Sequence, residues 1–288
     1  MGLLQTTRFI LGHPIGRARP LRNLLGFLGW QLRSRLVPGP VTVPWVGGTR
    51  LVVARGMHGA TGNLYVGLHE ADEMAFAIHL LRTDDWFIDV GANVGSYTVL
   101  AAGVARARVH AFEPIAATSS HLSRNLRENA LDDRVTLHHA AVGAAAGRQS
   151  MASDRDTMNR VLEGSETSPH AVEVKVVALD EALVGVSPTL LKIDVEGFES
   201  EVLAGATDVL GRTAAAIIEI SRRRDEVLAR VAAAGLRPCR YDALSRRLLV
   251  LARPEPAPGG NFLFVRDVEW ARARCATAPG LTIKGVAL

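Results

Sequence analysis

From residue 86 onward, short apolar runs alternate with longer stretches whose apolar positions recur every three or four residues. The runs predict strands at 86–90, 108–112, 134–138, 189–194 and 214–220. The stretches between them predict helices, notably 116–129 and 199–210. Such alternation describes a parallel sheet covered on both faces, with ligands at the carboxyl ends of the strands. A pair of strands near Gln149 to Ala152 and Val172 to Ala178 interrupts the pattern, and a hairpin-like end at 236–241 and 261–265 closes it. Upstream, Leu21, Leu24, Leu25, Phe27, Leu28 and Trp30 have helical, amphipathic spacing. Pro38-Gly39-Pro40 then breaks the chain, and Val41 to Val46 and Leu51 to Ala54 read as a β-hairpin turning at Gly47-Gly48. The glycine-rich stretch from Gly56 to Asn63 reads as a loop placed to cover a pocket, ahead of a helix over Ala71 to Leu81.

The first core strand ends on a carboxylate and empties into a glycine turn, Phe87-Ile88-Asp89-Val90-Gly91-Ala92-Asn93-Val94-Gly95-Ser96. Gly91 and Gly95 allow backbone conformations closed to other residues, and the helix that follows turns its free amides toward a ligand. A dinucleotide fingerprint needs glycine two positions after the first, where this chain has Asn93. Asp89 would also repel a pyrophosphate and attract a cation. S-adenosylmethionine carries an ammonium and a sulfonium and no phosphate, so the turn favours it over a nicotinamide dinucleotide. Glu113 closes the second strand just before Pro114, where a carboxylate can accept hydrogen bonds from both ribose hydroxyls. The plainer alternative for Glu113 is a solvated loop residue.

Four blocks resemble the FkbM-type methyltransferases in order and spacing. They are Asp89-x-Gly91-Ala92-Asn93-x-Gly95, Phe112-Glu113-Pro114, Ala140-Ala141-Val142-Gly143 and Leu191-Lys192-Ile193-Asp194-Val195-Glu196-Gly197-Phe198-Glu199. The likeness covers roughly residues 58–266 and closes on Asn261-Phe262-Leu263-Phe264-Val265-Arg266. It implies an α/β, class I methyltransferase (Rossmann-like) fold, a doubly wound seven-stranded sheet whose last strand is antiparallel, with a small N-terminal helix and β-hairpin extension. It also implies dependence on S-adenosylmethionine and, most often, O-methylation of a hydroxyl on a sugar or natural product. The expected organisation is an extension over 1–57, a catalytic domain over 58–270 and a tail over 271–288. Asp89, Gly91, Ala92, Asn93, Gly95, Tyr97, Glu113, Pro114 and Ala141 are the expected donor-binding residues.

Methyl transfer needs donor carbon and acceptor oxygen aligned, and a hydroxyl gains from a base that takes its proton. Lys192, Asp194 and Glu196 alternate along a strand end, so all three can face the methyl. Asp194 is the first candidate for the reacting centre, Glu196 the second as base or hydroxyl ligand, and Lys192 neutralises the pair. An ion pair that merely closes a strand end is the alternative. Glu219 is an acidic residue inside the apolar run Ile217-Ile218-Glu219-Ile220, which points to the acceptor pocket. The segment after it, Ser221-Arg222-Arg223-Arg224, lacks the expected glycine-rich turn. Thr157 and Asn159 can hydrogen-bond sugar hydroxyls or equally sit at a solvated hairpin tip. His58 is an acceptor-side candidate, although neither it nor His69 has partner spacing and the default reading of both is an ordinary loop or helix histidine. His138 and His139 are adjacent on a strand and so face opposite ways. No essential metal is expected, although magnesium bridging Asp194, Glu196 and a substrate hydroxyl stays open.

Composition adds limits. The 288 residues are 48% hydrophobic and 22% charged, ordinary for a globular chain. Cys239 and Cys275 are too few and too far apart for a metal knuckle or a disulfide framework. The net charge of +4 rests on arginine, since Lys175, Lys192 and Lys284 are the only lysines. The basic residues are scattered and not striped with aromatics, so nucleic acid is not the expected partner; a small molecule or saccharide acceptor is. No apolar run approaches the roughly 18 residues of a transmembrane segment, and no leader pattern opens the chain, so a cytoplasmic location is expected. The basic N-terminal helix is read as docking on the catalytic domain or packing in a homodimer, with an anionic membrane surface as the alternative. Two rival functions are a nicotinamide oxidoreductase and a donor-binding module that has lost catalysis; Asn93 and Asp89 oppose the first, and the retained acids with Lys192 oppose the second.

Overall fold

A computed structural model describes residues 2–37, 39–152, 160–161 and 171–288, with backbone alone at 58–59 and 160–161. Its main sheet contains β1 (Trp86–Val90), β2 (Arg108–Phe112), β3 (Val135–His138), β4 (Leu190–Ile193), β5 (Ala215–Glu219), β6 (Arg237–Asp242), β7 (Arg247–Val250) and β8 (Asn261–Val265). They lie in the order β7-β6-β8-β5-β4-β1-β2-β3. The first five run parallel to one another, whereas β8 is antiparallel to β5 and to β6, and β7 is antiparallel to β6. The strand order reverses between β1 and β4, and at such a switch point a crevice opens above the carboxyl ends.

The sheet has eight strands, one more than the sequence predicts. Arg247–Val250 folds back on β6, setting Cys239 opposite Val250 and Asp242 opposite Arg247. Only Leu248 of that strand is buried, so its alternation is too short to stand out from a loop. The core strands are continuous apolar runs because both faces are covered. Phe87, Val109, Leu190 and Ile217 enter one apolar cluster, and Ile88, Leu191, Ile218 and Phe264 enter the other.

The stretch 199–210 forms two helices, Glu199–Ala204 and Thr207–Arg212. The break falls at Gly205, where a Cβ would stand 2.1 Å from the Gly143 carbonyl oxygen. The glycine-rich stretch expected to be a loop is instead the helix His58–Val66. Its Gly62 is pressed against the His69 ring, where a Cβ would lie 2.1 Å from Nδ1, so close packing explains a glycine that reads as flexibility in the sequence. The helix after the glycine turn is α over Ser96–Val99 and continues as a π turn over Leu100–Val104.

The strands Val41–Pro44 and Arg50–Val53 form the expected hairpin. Of the break before it, Pro38 lies outside the described residues. Two N-terminal helices, Leu3–Gly12 and Pro20–Leu36, pack on each other, and the second packs beside the helix His58–Val66. Ile10, Ile15, Phe27 and Trp30 enter the main core, Phe27 meeting Tyr65 edge-on at 5.1 Å. Cys275, Ile283 and Leu288 enter it from the C-terminal side. A second sheet, with Ala141–Val142, Gly147–Ala152, Arg160–Val161 and Ala171–Val177, leans over the carboxyl ends through Ile115, Met151, Val174 and Val176.

Phe76 on the helix Ala71–Leu80 is fully buried and meets Tyr241 at 5.3 Å, joining the helix layer to β6. Phe76→Ala should cost about 3–5 kcal/mol, read as a lower urea midpoint at unchanged m-value.

Candidate functional site

The turn after β1 is held by its own backbone and by Glu113. Gly91 and Gly95 have φ of 80° and 90°, and Asn93 joins them at 52°, a region in which asparagine is tolerated. The Asn93 side chain accepts from the Val94 amide at 2.7 Å, and the Asn93 amide donates to Glu113 Oε2 at 3.0 Å. The Ile115 amide donates to Glu113 Oε1 at 2.9 Å. Each carboxylate oxygen keeps a further lone pair, so Glu113 braces the turn and can still accept from a ligand. Glu113 is buried and is not a solvated loop residue. A Cβ on Gly91 would lie 1.9 Å from the Asp194 carbonyl oxygen, so the turn sits directly on the end of β4.

Above this junction is a cavity of about 350 Å³. Its walls include the carboxylates of Glu70, Asp89, Glu113, Asp194, Glu196 and Glu219 and one cation, Lys192; among the described residues no arginine lines it. Lys192 Nζ meets Asp194 Oδ2 at 2.7 Å and lies 4.8 Å from the Tyr97 ring centroid. The Tyr97 hydroxyl donates to Glu70 Oε2 at 2.6 Å, and Asn261 Nδ2 donates to Glu70 Oε1 at 2.9 Å. Asp89, opposite Lys192 across the β1–β4 register, accepts from Thr98 Oγ1 at 2.6 Å.

Burial and charge sort these acids into two kinds. Burial alone would drive a proton off Lys192, but Asp194, Glu70 and Asp89 reverse this and hold its pKa above the ordinary lysine value. Burial opposes ionisation of Asp194 as well, yet Lys192 and a hydrogen bond from Glu219 hold Asp194 below the usual carboxylate range. Burial and the Asp194 charge push Glu219 up to about 8, so at neutral pH Glu219 carries the proton that it donates to Asp194. Glu113 is pushed up to about 7 by burial against the pull of its two amide donors. Glu196 is raised by burial and then by the charges of Asp194 and Glu199. Glu196 also has a φ of 52° without being glycine or asparagine, a strained conformation of the kind that gathers at functional sites.

The cavity thus brings together every described residue expected on the donor side, Asp89, Gly91, Ala92, Asn93, Tyr97, Glu113, Pro114 and Ala141 on its walls and Gly95 behind the turn, with Lys192, Asp194, Glu196 and Glu219. Thr157 and Asn159 lie outside the described residues, as does the His58 side chain. His138 stacks on Phe112 at 4.3 Å and His139 hydrogen-bonds Ser119, so the two diverge. Arg223, at the start of the helix Arg224–Ala233, pairs with Glu201 and with Glu226 at 2.6 Å. Sequence reasoning missed Glu70, His69, Asn63 and Thr98. The one available signal was Glu70, an acid three residues after Gly67 and directly ahead of an apolar helix. Among the described residues no group of three or more His, Cys, Asp or Glu side chains is arranged to hold a metal ion.

Residues 89–240 match the Methyltransferase FkbM domain, which is more than half of the chain. The chain belongs to this family. A relative with curated function, the hexuronic acid methyltransferase AglP of Haloferax volcanii, is 29% identical over 157 residues, covering 52% of this chain and 62% of that protein. The chain therefore spans less than two thirds of that relative's length. Among solved structures, the precorrin-6y C5,15-methyltransferase of Geobacter metallireducens aligns at a TM-score of 0.41 and 12% identity, covering 75% of this chain and 92% of that one. The S-adenosylmethionine-dependent O-methyltransferase of Thermotoga maritima aligns at 0.39 and 14% identity, covering 67% and 63%. These two likenesses carry no further argument.

Several acids in and beside the cavity have pKa values raised toward neutrality. Burial pushes Glu73, on the helix beside the cavity, up to about 7, close to Glu113, and Glu219 lies higher at about 8. A carboxyl whose folded pKa is raised binds its proton more tightly when folded, so stability falls as pH rises from about 4.5 to 8 and the loss is complete above the folded values. In pH-dependent urea titrations, Glu73→Gln should remove about 3 kcal/mol of this decline and leave the protein more stable than wild type at pH 8.

Proposed function

We propose that this chain is an S-adenosylmethionine-dependent O-methyltransferase that acts on a hydroxyl of a sugar. The observation that carries the reading is the charge of the cavity, where among the described residues six carboxyl groups, Glu219 of them protonated, face one lysine and that lysine is already paired with Asp194. Among the described residues a pyrophosphate would find no free cation there, whereas a ligand with a sulfonium and an ammonium finds carboxylates. Membership of the FkbM methyltransferase family supports the same donor, and the sugar specificity in the name of the Haloferax relative supports the acceptor class.

The donor-side residues fit this group. Gly91, Ala92 and Asn93 present backbone at the cavity floor, Glu113 has lone pairs free for two ribose hydroxyls, and Asp89 offers negative charge beside the turn. When bound, S-adenosylmethionine supplies an electrophilic methyl on sulfur. The protein's part is alignment, exclusion of water and removal of one proton. Asp194, kept ionised by Lys192, and Glu219, whose proton lies between the two, offer the acceptor hydroxyls two neighbouring carboxyl groups as hydrogen-bond acceptors. Glu196 acts as the base: its raised pKa brings it toward the working pH, and no hydrogen bond to its carboxylate competes for it among the described residues. Glu196 would take the proton of the acceptor hydroxyl as that oxygen is methylated and then release it to solvent.

Glu196→Gln should leave the donor dissociation constant unchanged by titration calorimetry and lower kcat roughly 10²- to 10³-fold. Glu113→Ala should instead weaken donor binding at least tenfold. Methyl transfer is read by mass spectrometry on neutral glycosides and on glycosides of uronic acids. Binding of NADH in place of S-adenosylmethionine would overturn the donor; methylation of neither acceptor class would overturn the sugar.

A further inference from the structure

The outer face of the N-terminal helices is apolar, exposed and ringed by arginine. Of the fourteen large apolar side chains exposed among the described residues, nine lie in the first 37. Leu21, Leu25, Leu28, Leu32 and Leu36 are 54 to 77% exposed. Their spacing of four, three, four and four residues places them within roughly 80° of arc on one helix. Asn23, Phe27 and Trp30, the residues that fix this helix to the domain, point the other way. Leu3, Leu4 and Leu11 are exposed on the neighbouring helix. A contiguous apolar surface of this kind marks an interaction site.

Charge decides what meets it. Arg22 and Arg33 flank one side of the stripe and Arg35 the other, and Arg8, Arg17 and Arg19 are also exposed. Residues 1–69 contain no aspartate or glutamate. Among the described residues no carboxylate pairs with any of these six guanidinium groups. A second copy of the chain would bring arginine against arginine with no acid to relieve the repulsion. An anionic bilayer satisfies both features at once, because leucines enter the acyl boundary while arginines meet lipid phosphates.

We propose that this chain docks on anionic membrane surfaces with the helix Pro20–Leu36 lying in the interface plane. No described helix is long and apolar enough to cross a membrane, so the contact is peripheral. On their inner side the N-terminal segments reach the cavity wall: Phe9 packs 5.0 Å from the ring of His69, a cavity residue, and His13 Nε2 donates to the His69 carbonyl at 3.2 Å. The proposal stands on the surface alone and is independent of the methyl-transfer reading.

Sedimentation of the full chain with sucrose-loaded vesicles tests it. Wild type should pellet at least tenfold more strongly with phosphatidylcholine–phosphatidylglycerol vesicles than with phosphatidylcholine alone, and the excess should fall as salt rises. The triple variants L25S/L28S/L32S and R22E/R33E/R35E should each lose tenfold or more in partition, at unchanged melting temperature, with about fivefold expected per arginine. Equal binding to both vesicle types, or triple variants that bind as wild type does, would overturn the proposal. So would a lipid-free dimer by light scattering that the leucine variant dissolves, which would assign the stripe to a second copy, or binding only to an acidic protein.

Discussion

One buried ammonium makes the rest of the site tenable. Lys192 stands where β1 and β4 part, against Asp194, opposite Asp89, and over the Tyr97 ring whose hydroxyl reaches Glu70. Three carboxylates at such range could not share a cavity floor as anions without a cation among them. Lys192 fixes which of them is charged, and Glu219 takes up the surplus as a proton. The acid-rich cavity is therefore a balanced arrangement, with its remaining negative character directed at whatever enters.

The fold was largely legible because the signals lay in local periodicity. Continuous apolar runs announced strands covered on both faces, and the carboxylates at their ends, Asp89, Glu113, Asp194 and Glu219, fell where a switch-point crevice collects side chains. What the sequence hid was contact between distant segments. Gly62 reads as loop, yet its smallness serves a helix that must pass close to the His69 ring. Gly205 likewise looks like an ordinary helix position until the Gly143 carbonyl is seen beside it. Glu70 belongs to the site only because the fold carries it to Tyr97 and Asn261, whose positions in the chain give no hint of the meeting.

The N-terminal helix illustrates a different limit. Its amphipathic spacing was plain, but a helix with apolar residues over much of its circumference has two sides, and sequence alone does not say which is spent on the core. The structure assigns Phe27 and Trp30 inward and the leucines outward. Packing on the main core accounts for one side only.

The abutment of Gly91 on the Asp194 carbonyl has a mechanical corollary. Two parallel strands locked by register and by this backbone contact form an anvil that cannot give when a ligand arrives. Whatever clearance is needed for entry and exit must come from the overhanging pieces, Phe198 and Met151 above and the His69 segment at the side. The roof and flank are then the parts that yield to a ligand, while the strand ends keep their stations.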